Sequence, residues 1–249
     1  MFGLIRQAAT CWPALGACMS VLMLASTASE AALTLNGTRV VFESDKRSTA
    51  IIVSNPSDRP YAVQTWVNTA ADDTTTEVPL IPSPPLFRLN PGKEQQVQIN
   101  GLPNNLPLDR ESLFYFNVQE IPQIDTNERN VLNVALRTRI KLFYRPSQLK
   151  DNPITRLKDL QWSIERQGNS SQLVVTNPTP FHVSFIRVEV KDKDKRLPLL
   201  NAEMVEPLSR RTYPLDGLKP AAGLQVEFSA INDFGGYTVP LTLPIQVNP

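Results

Sequence analysis

The sequence is short of the residues on which most enzymes and metal proteins depend. It has one histidine and two cysteines among 249 residues, and both cysteines, Cys11 and Cys18, lie close to the N-terminus. A single His182 without a cysteine or clustered carboxylates gives neither a set of metal ligands nor an acid–base pair. No phosphate-binding glycine loop and no Gly-x-Ser-x-Gly turn is present. We therefore expect no catalytic residue, no metal site and no cofactor.

The charge balance is almost even, with 25 Lys and Arg against 24 Asp and Glu. A net charge of +1 removes the general electrostatic argument for nucleic-acid binding. Glycine is sparse at 10 residues, proline is abundant at 22, and 41% of the residues are hydrophobic. A packed core is thus within reach of the composition. Beyond the N-terminal region, no segment approaches the roughly 20 apolar residues of a membrane-spanning helix.

The N-terminal region has the pattern of an export signal. Arg6 supplies the positive charge, Ala14–Ala25 is the apolar stretch, and small residues precede a cleavage point before Ala32. The Leu-Gly-Ala-Cys sequence ending at Cys18 offers an alternative, a lipoprotein cleavage box. We favour the cleaved signal peptide, because the strongest apolar run, Val21–Leu24, follows Cys18. The mature protein is then exported and lacks cysteine, which excludes disulfides and thiol chemistry.

The remainder of the sequence predicts an all-β protein. Runs rich in Val, Ile, Thr and Phe alternate with turn signals at the spacing of a β-sandwich. A polar, proline-flanked segment at Ser147–Pro153 is interpreted as a linker between two immunoglobulin-like domains of about 100 residues each. The predicted parts are a leader at residues 1–31, a first domain at 32–149 and a second at 150–249. The predicted strands are Leu33–Phe42, Thr49–Ser54, Tyr61–Asn68, Leu86–Leu89, Gln95–Ile99, Leu113–Glu120, a run within Asn130–Pro146, Leu160–Arg166, Gln172–Asn177, Val183–Lys191, Arg211–Pro214, Gln225–Ile231 and Tyr237–Val247.

The segment Asn130–Pro146 is unusually long for one strand. Leu132, Val134 and Leu136 alternate with more polar residues, so they share one face of an extended chain. The segment would span roughly 50 Å if fully extended. Such an apolar stripe needs a partner, which is either the core of its own domain or another chain.

Several motifs, in this order and spacing, carry a family resemblance. They cover the beginning of the first domain, its middle and its last strand, with one further motif in the second half. They are Thr38–Phe42, Phe87–Gly92, Leu106–Val118, Glu120–Pro122, Ile140–Pro146 and Asn232–Gly236. The chain therefore resembles the periplasmic pilus chaperones of the PapD-like family. The resemblance implies two immunoglobulin-like domains set at an angle with a cleft between them, and a non-enzymatic function.

The resemblance also implies partners and site residues. The strand carrying Leu132, Val134 and Leu136 would be donated to a pilus subunit. Arg39 and Lys141 would bind the C-terminal carboxylate of that subunit, and the complex would be delivered to an outer-membrane usher. Main-chain pairing is independent of sequence, which would let one chaperone serve several subunits.

Three charged residues match the interdomain ion cluster of the family. They are Glu111, Arg145 and Asp233, and a shared arginine can hold two domains at a fixed angle. The connection from Val118 to Val131 is short, and the mature chain has no cysteine. This looks like the short-loop branch of the family, which is associated with rod-like adhesive pili.

Other interpretations remain open at this level. A secreted β-sandwich adhesin or carbohydrate-binding module would need an exposed aromatic platform, whereas Trp66 and Trp162 are interpreted as core residues on strands. The loop at Asp72–Asp73 is interpreted as a flexible polar turn rather than a calcium site. Because a long apolar edge favours aggregation, we also expect that a second copy of the chain can cap the stripe in a dimer.

Overall fold

The computed structural model describes residues 33–73, 75–122, 135–167, 170–193, 195–215 and 221–247. The described part of the first half forms nine strands. They are β1 Thr34–Leu35, β2 Arg39–Glu43, β3 Ser48–Ser54, β4 Tyr61–Asn68, β5 Leu80–Ser83, β6 Leu86–Leu89, β7 Glu94–Gly101, β8 Ser112–Pro122 and β9 Arg137–Arg145. Four of them form a sheet in the order β1-β3-β7-β5, and five form a second sheet in the order β2-β9-β8-β4-β6.

The core of the first half draws side chains from both sheets. Val97 and Ile99 of β7 are fully buried, while the adjacent Gln96 and Gln98 are exposed, which is the alternation of a strand with one face toward the core. The same cluster contains Phe42, Val53, Val63, Phe116 and Leu142. Burying each such side chain contributes about 1.5–3 kcal/mol, so this core holds the two sheets together.

The second half begins with a short helix and continues as strands. The helix α1 is Pro153–Arg156, and a 3-10 turn at Leu157–Asp159 follows. The strands are β10 Gln161–Gln167, β11 Ser170–Asn177, β12 Phe185–Asp192, β13 Lys195–Pro198, β14 Ser209–Leu215, β15 Gln225–Ala230 and β16 Leu241–Val247. Their order is β13-β12-β15-β16-β10-β11-β14, and the parallel pair β10–β16 joins two antiparallel groups. The core centres on three aromatic rings 5.5–5.6 Å apart, those of Trp162, Phe185 and Phe228.

A shared turn appears after β3 and after β11. Asn55 and Asn177 are both buried, and the side-chain amide of each donates to the carbonyl four residues later and to a second, more distant carbonyl. The side-chain oxygen of each accepts from the backbone and hydroxyl of the residue two positions on, Ser57 or Thr179. Each asparagine therefore satisfies the polar backbone of an Asn-Pro turn, which explains why the dipeptide recurs in both halves.

The all-β prediction is confirmed, but several details of it were wrong. The predicted strand Leu33–Phe42 is divided into β1 and β2, and the estimate of seven strands before Pro146 is too low. The pattern also missed β5 and β13, which lie at sheet edges. Trp66, which was predicted to be a core residue, is only partly buried, and the guanidinium carbon of Arg137 lies 5.0 Å from the centroid of its ring. Trp162 is a core residue, as predicted.

Two further predictions can be compared with the described residues. No helix among them is both long and apolar enough to span a membrane. Asp72 and Asp73 are engaged within their own domain: Asp72 pairs with Arg137, and Asp73 accepts bonds from Thr75 and Thr76. The predicted leader, residues 1–31, lies outside the described residues.

Candidate functional site

Arg39 and Lys141 lie side by side on neighbouring strands. β2 and β9 run parallel, and Arg39 is the register partner of Lys141. Arg39 is the first residue of β2, so the pair marks the point at which β2 begins to cover the edge of β9. Both side chains are partly buried.

Each of the two cations donates to an uncharged group of the second half. Arg39 Nη1 donates to the carbonyl oxygen of Ile231 at 3.0 Å, and Lys141 Nζ donates to Ser184 Oγ at 3.0 Å. Arg39 Nε is buried without a hydrogen-bond partner. Within the described part of the chain, no ion pair joins either cation to a carboxylate. The pair therefore keeps donor capacity for an incoming anion.

The environment destabilises the charged forms of both side chains. Burial lowers the pKa of Lys141, and the positive charge of Arg39 lowers it further. Burial also lowers the pKa of Arg39, although the charges of Asp233 and Glu111 partly oppose that change. A carboxylate bound between the two cations would offset both the repulsion and the desolvation. The site is electrostatically suited to a single carboxylate.

An open strand edge leads to this pair of cations. β8 pairs with β9 from Arg137 to Tyr144, but β2 pairs with the opposite edge only from Lys141 onward. Among the described strands, none covers that opposite edge from Arg137 to Ile140. An uncovered edge presents unpaired N–H and C=O groups to an added strand.

The predicted apolar stripe is only partly within the described residues. Leu136 directly precedes β9 and is 48% exposed, and its carbonyl accepts from the Glu120 N–H at 3.0 Å. Leu132 and Val134 lie outside the described residues. The role of the stripe stays a prediction.

Glu111, Arg145 and Asp233 are in direct contact. Arg145 Nε donates to Glu111 Oε1 at 2.8 Å, and its two terminal nitrogens donate to the two oxygens of Asp233 at 2.7 and 2.9 Å. The side chains of Arg145 and Glu111 are only 9% and 2% exposed. Burial alone would lower the pKa of Arg145, but the hydrogen bonds and charges of Asp233 and Glu111 outweigh it and raise that pKa. A strand end of the first half is thereby tied to a loop of the second.

Sequence reasoning missed the groups of the second half that contact these residues. The backbone N–H and Nδ1 of His182 lie 2.8 and 3.1 Å from Glu111 Oε2. Ser184 and the Ile231 carbonyl contact the two cations. No spacing rule could have identified them, because they approach the first half only through the tertiary fold. The Asn232–Gly236 motif beside Ile231 was the one available signal.

The chain matches two protein-family models. Residues 32–150 match the N-terminal domain of the pili and flagellar-assembly chaperone PapD, and residues 155–240 match the C-terminal domain of the pili assembly chaperone PapD. The probable fimbrial chaperone YadV of Escherichia coli (strain K12) is 37% identical over 228 residues, which cover 88% of this chain and 92% of YadV. The predicted domain limits at 149 and 150 stay a prediction.

Solved structures of chaperones are also similar to this chain. A crystal structure of the YadV chaperone has a TM-score of 0.73 at 36% identity and covers 85% of this chain and 98% of its own. A structure of the Salmonella enterica SafA pilin in complex with the SafB chaperone has a TM-score of 0.72 at 29% identity, with coverage of 88% and 98%. The periplasmic chaperone SfaE matches with a TM-score of 0.67 at 29% identity, with coverage of 87% and 100%.

These similarities confirm the resemblance drawn from the sequence motifs and the prediction of two immunoglobulin-like β-sandwich domains. The relatives are chaperones rather than enzymes. The chain belongs to the PapD family of pilus and fimbrial assembly chaperones.

Proposed function

We propose that this protein acts in the periplasm, where it captures fimbrial subunits by adding a strand to their fold, anchors their C-terminal carboxylate, and delivers them to an outer-membrane usher. The similar chaperone SafB forms a complex with a pilin, and the similar chaperone SfaE is periplasmic. The observation that carries the proposal is the open edge of β9, which ends at the paired cations Arg39 and Lys141.

The strand-adding step follows from the physics of an incomplete sandwich. A subunit that lacks one strand exposes an apolar groove between two unpaired strand edges. A donated strand satisfies the main-chain groups of those edges, and its alternate side chains fill the groove. Leu132, Val134 and Leu136 would each contribute about 1.5–3 kcal/mol when fully buried. The apolar stripe then has its partner in another chain.

The anchoring step fixes the direction and register of the guest strand. A guest that pairs with the open edge at Arg137–Ile140 must end where β2 begins, because β2 occupies the edge beyond. If its last residue places its carboxylate at Arg39 and Lys141, the guest runs parallel to β9. A slip of the guest strand by two residues would leave the same set of side chains facing the groove, so side-chain packing alone does not fix the register. The bound carboxylate prevents that slip.

The ion cluster has a structural part in this proposal. It ties β9 and the loop before β8 to the loop after β15. That loop carries Ile231, whose carbonyl holds Arg39. The bonds among Glu111, Arg145 and Asp233 would therefore keep the anchor in shape, and a buried network of this kind serves geometry more than stability.

The test is charge reversal at one cation, with a matched control. The chaperone is co-expressed with a fimbrial subunit from the same genome, and the complex recovered from the periplasm is quantified. We expect Lys141→Glu to abolish capture and Lys93→Glu, at an exposed position, to retain it, while both variants keep the wild-type circular dichroism spectrum. Retained capture by Lys141→Glu would refute the anchor.

The donated strand is tested separately. Replacement of Leu132, Val134 and Leu136 by serine is expected to reduce capture far more than it lowers the melting temperature of the chaperone. The opposite ranking would identify the stripe as part of the chaperone's own core.

A further inference from the structure

We infer that His182 is a positioning residue of the carboxylate anchor, which its ring supports through Phe143, while a second contact holds Glu111 in the ion cluster. This inference rests on the proposed function. His182 belongs to the second half, yet its side chain is only 4% exposed and touches two residues of the first half, Glu111 and Phe143. It also lines a pocket together with Arg39, Arg145 and Asp233.

The first contact is a polar one with Glu111. Glu111 Oε1 accepts from Arg145, whereas the contacts of Oε2 with the described residues come from His182, through the backbone N–H at 2.8 Å and Nδ1 at 3.1 Å. The backbone N–H of Glu111 in turn donates to the Pro180 carbonyl at 3.0 Å. An ionised carboxylate can only accept hydrogen bonds, so Nδ1 of His182 must carry a proton. Glu111 thus connects segment 180–182 to Arg145 through hydrogen bonds.

The second contact is made by the imidazole ring. Its centroid lies 5.2 Å from that of Phe143, which is only 3% exposed. The same phenyl ring lies 5.7 Å from the guanidinium carbon of Arg39. Phe143 also follows Lys141 by two positions on β9, so the two side chains leave the same face of the strand. A ring at position 182 therefore limits where Phe143, and with it Arg39, can lie.

The two contacts assign separate duties to one side chain. The Nδ1 donor binds Glu111 of the ion cluster. The ring packs against Phe143, whose own ring lies beside the guanidinium of Arg39. Substitutions can separate them. Asparagine keeps a donor near the Nδ1 position and removes the ring, while phenylalanine keeps a ring and removes the donor.

The first experiment reads the tautomer directly on the wild-type protein. His182 is the single histidine of the chain, so the imidazole signals of protein with 15N-labelled histidine need no assignment. A proton on Nδ1 is expected, because the hydrogen bond of a ring nitrogen sets the tautomer. A neutral ring protonated at Nε2 alone would overturn the hydrogen bond from Nδ1 to Glu111.

The second experiment measures the anchor through its ligand. The probe is a synthetic peptide of the C-terminal strand of a fimbrial subunit from the same genome, prepared with a free carboxylate or as the amide. Wild type is expected to prefer the acid by about tenfold or more, as for a hydrogen bond between charged groups. We expect His182→Asn to lose most of this preference, because it removes the ring that packs against Phe143. We expect His182→Phe to keep the preference within about twofold and to melt about 3–10 °C lower.

The outcomes distinguish failure of the carboxylate anchor from failure of the role of His182. Equal binding of acid and amide by wild type would remove the anchor itself, and the inference with it. An acid preference in wild type that both variants retain would overturn the role of His182 and leave the anchor at Arg39 and Lys141 in place. Loss of the preference in His182→Asn with its retention in His182→Phe would support the inference, because a purely structural role would not separate the two variants.

Discussion

Replacing Arg145 by methionine should destabilise the protein more than replacing any other cation of the site. Arg145 has a 9% exposed side chain and bonds to Glu111, which is 2% exposed, and to Asp233. Methionine preserves much of the side-chain length but removes the charge and every donor. Glu111 would keep its bonds from His182 but would lose its cationic partner in a buried position. Asp233 would turn to solvent.

The magnitude follows from the burial of the partner that remains. Removal of one member of a buried ion pair costs about 3–5 kcal/mol, because the other charge stays uncompensated. A chain of 150–250 residues loses about 2–4 °C of melting temperature per kcal/mol. Arg145→Met should therefore lower the melting temperature by about 6–20 °C. Since the cluster joins the two halves, one calorimetric transition of the wild type should also separate into two.

Lys141→Met is the matched control, four residues earlier on the same strand. Burial lowers the pKa of Lys141, so its charge is destabilising in the folded state. The hydrogen bond that Lys141 donates to Ser184 is worth about 1 kcal/mol. Loss of the bond and relief of the buried charge act on stability in opposite directions. Differential scanning calorimetry should place Lys141→Met within a few degrees of wild type. A melting temperature of Arg145→Met within about 2 °C of wild type would contradict the predicted cost of leaving Glu111 unpaired, and so would an equal loss in both variants.

Three further predictions concern pH and close packing. Burial and Arg39 lower the pKa of Lys141, so subunit affinity should fall with rising pH at a lower pH than the titration of an ordinary lysine. Lys141→Arg should move that fall in affinity to higher pH, and identical pH profiles of wild type and variant would contradict the prediction. Hydrogen bonds from Arg137 and Asn68 lower the pKa of Asp72 to about 2, below the unfolded value near 3.9. The stabilisation by Asp72 is therefore present above about pH 4 and is lost as the pH falls toward 2. The melting temperature of Asp72→Asn should depend less on pH in this range than that of wild type, and an equal dependence would count against the prediction. Gly235 has a φ of +82°, and a Cβ there would overlap the Thr38 hydroxyl. Gly235→Ala should therefore cost about 1–2 kcal/mol from backbone strain, and the overlap should add to that cost. In urea unfolding, Thr38→Ala should partly restore the stability of Gly235→Ala, whereas strictly additive effects of the two substitutions would exclude the contact.

Local sequence patterns predicted the regular strands well. Tyr61–Asn68 and Leu86–Leu89 match β4 and β6 at both ends, because alternation and flanking turn residues act over a few neighbouring positions. The failures lie where position in the sheet overrides local pattern. β5 contains Pro82 and was passed over, yet as an edge strand it tolerates a residue without an N–H. Trp66 was assigned to the core by its residue type, although its strand turns that side chain toward Arg137.

The sequence by itself determined the all-β class, the two domains and the family, since these depend on periodicity, composition and motif order. Only the tertiary structure decided which charges meet. Arg39 and Lys141 are 102 positions apart and become neighbours because β2 and β9 pair in parallel, and His182 reaches Glu111 because the two halves pack together. Charge–charge and hydrogen-bond energies depend on distance in space and on burial, and neither quantity can be obtained from separation along the chain.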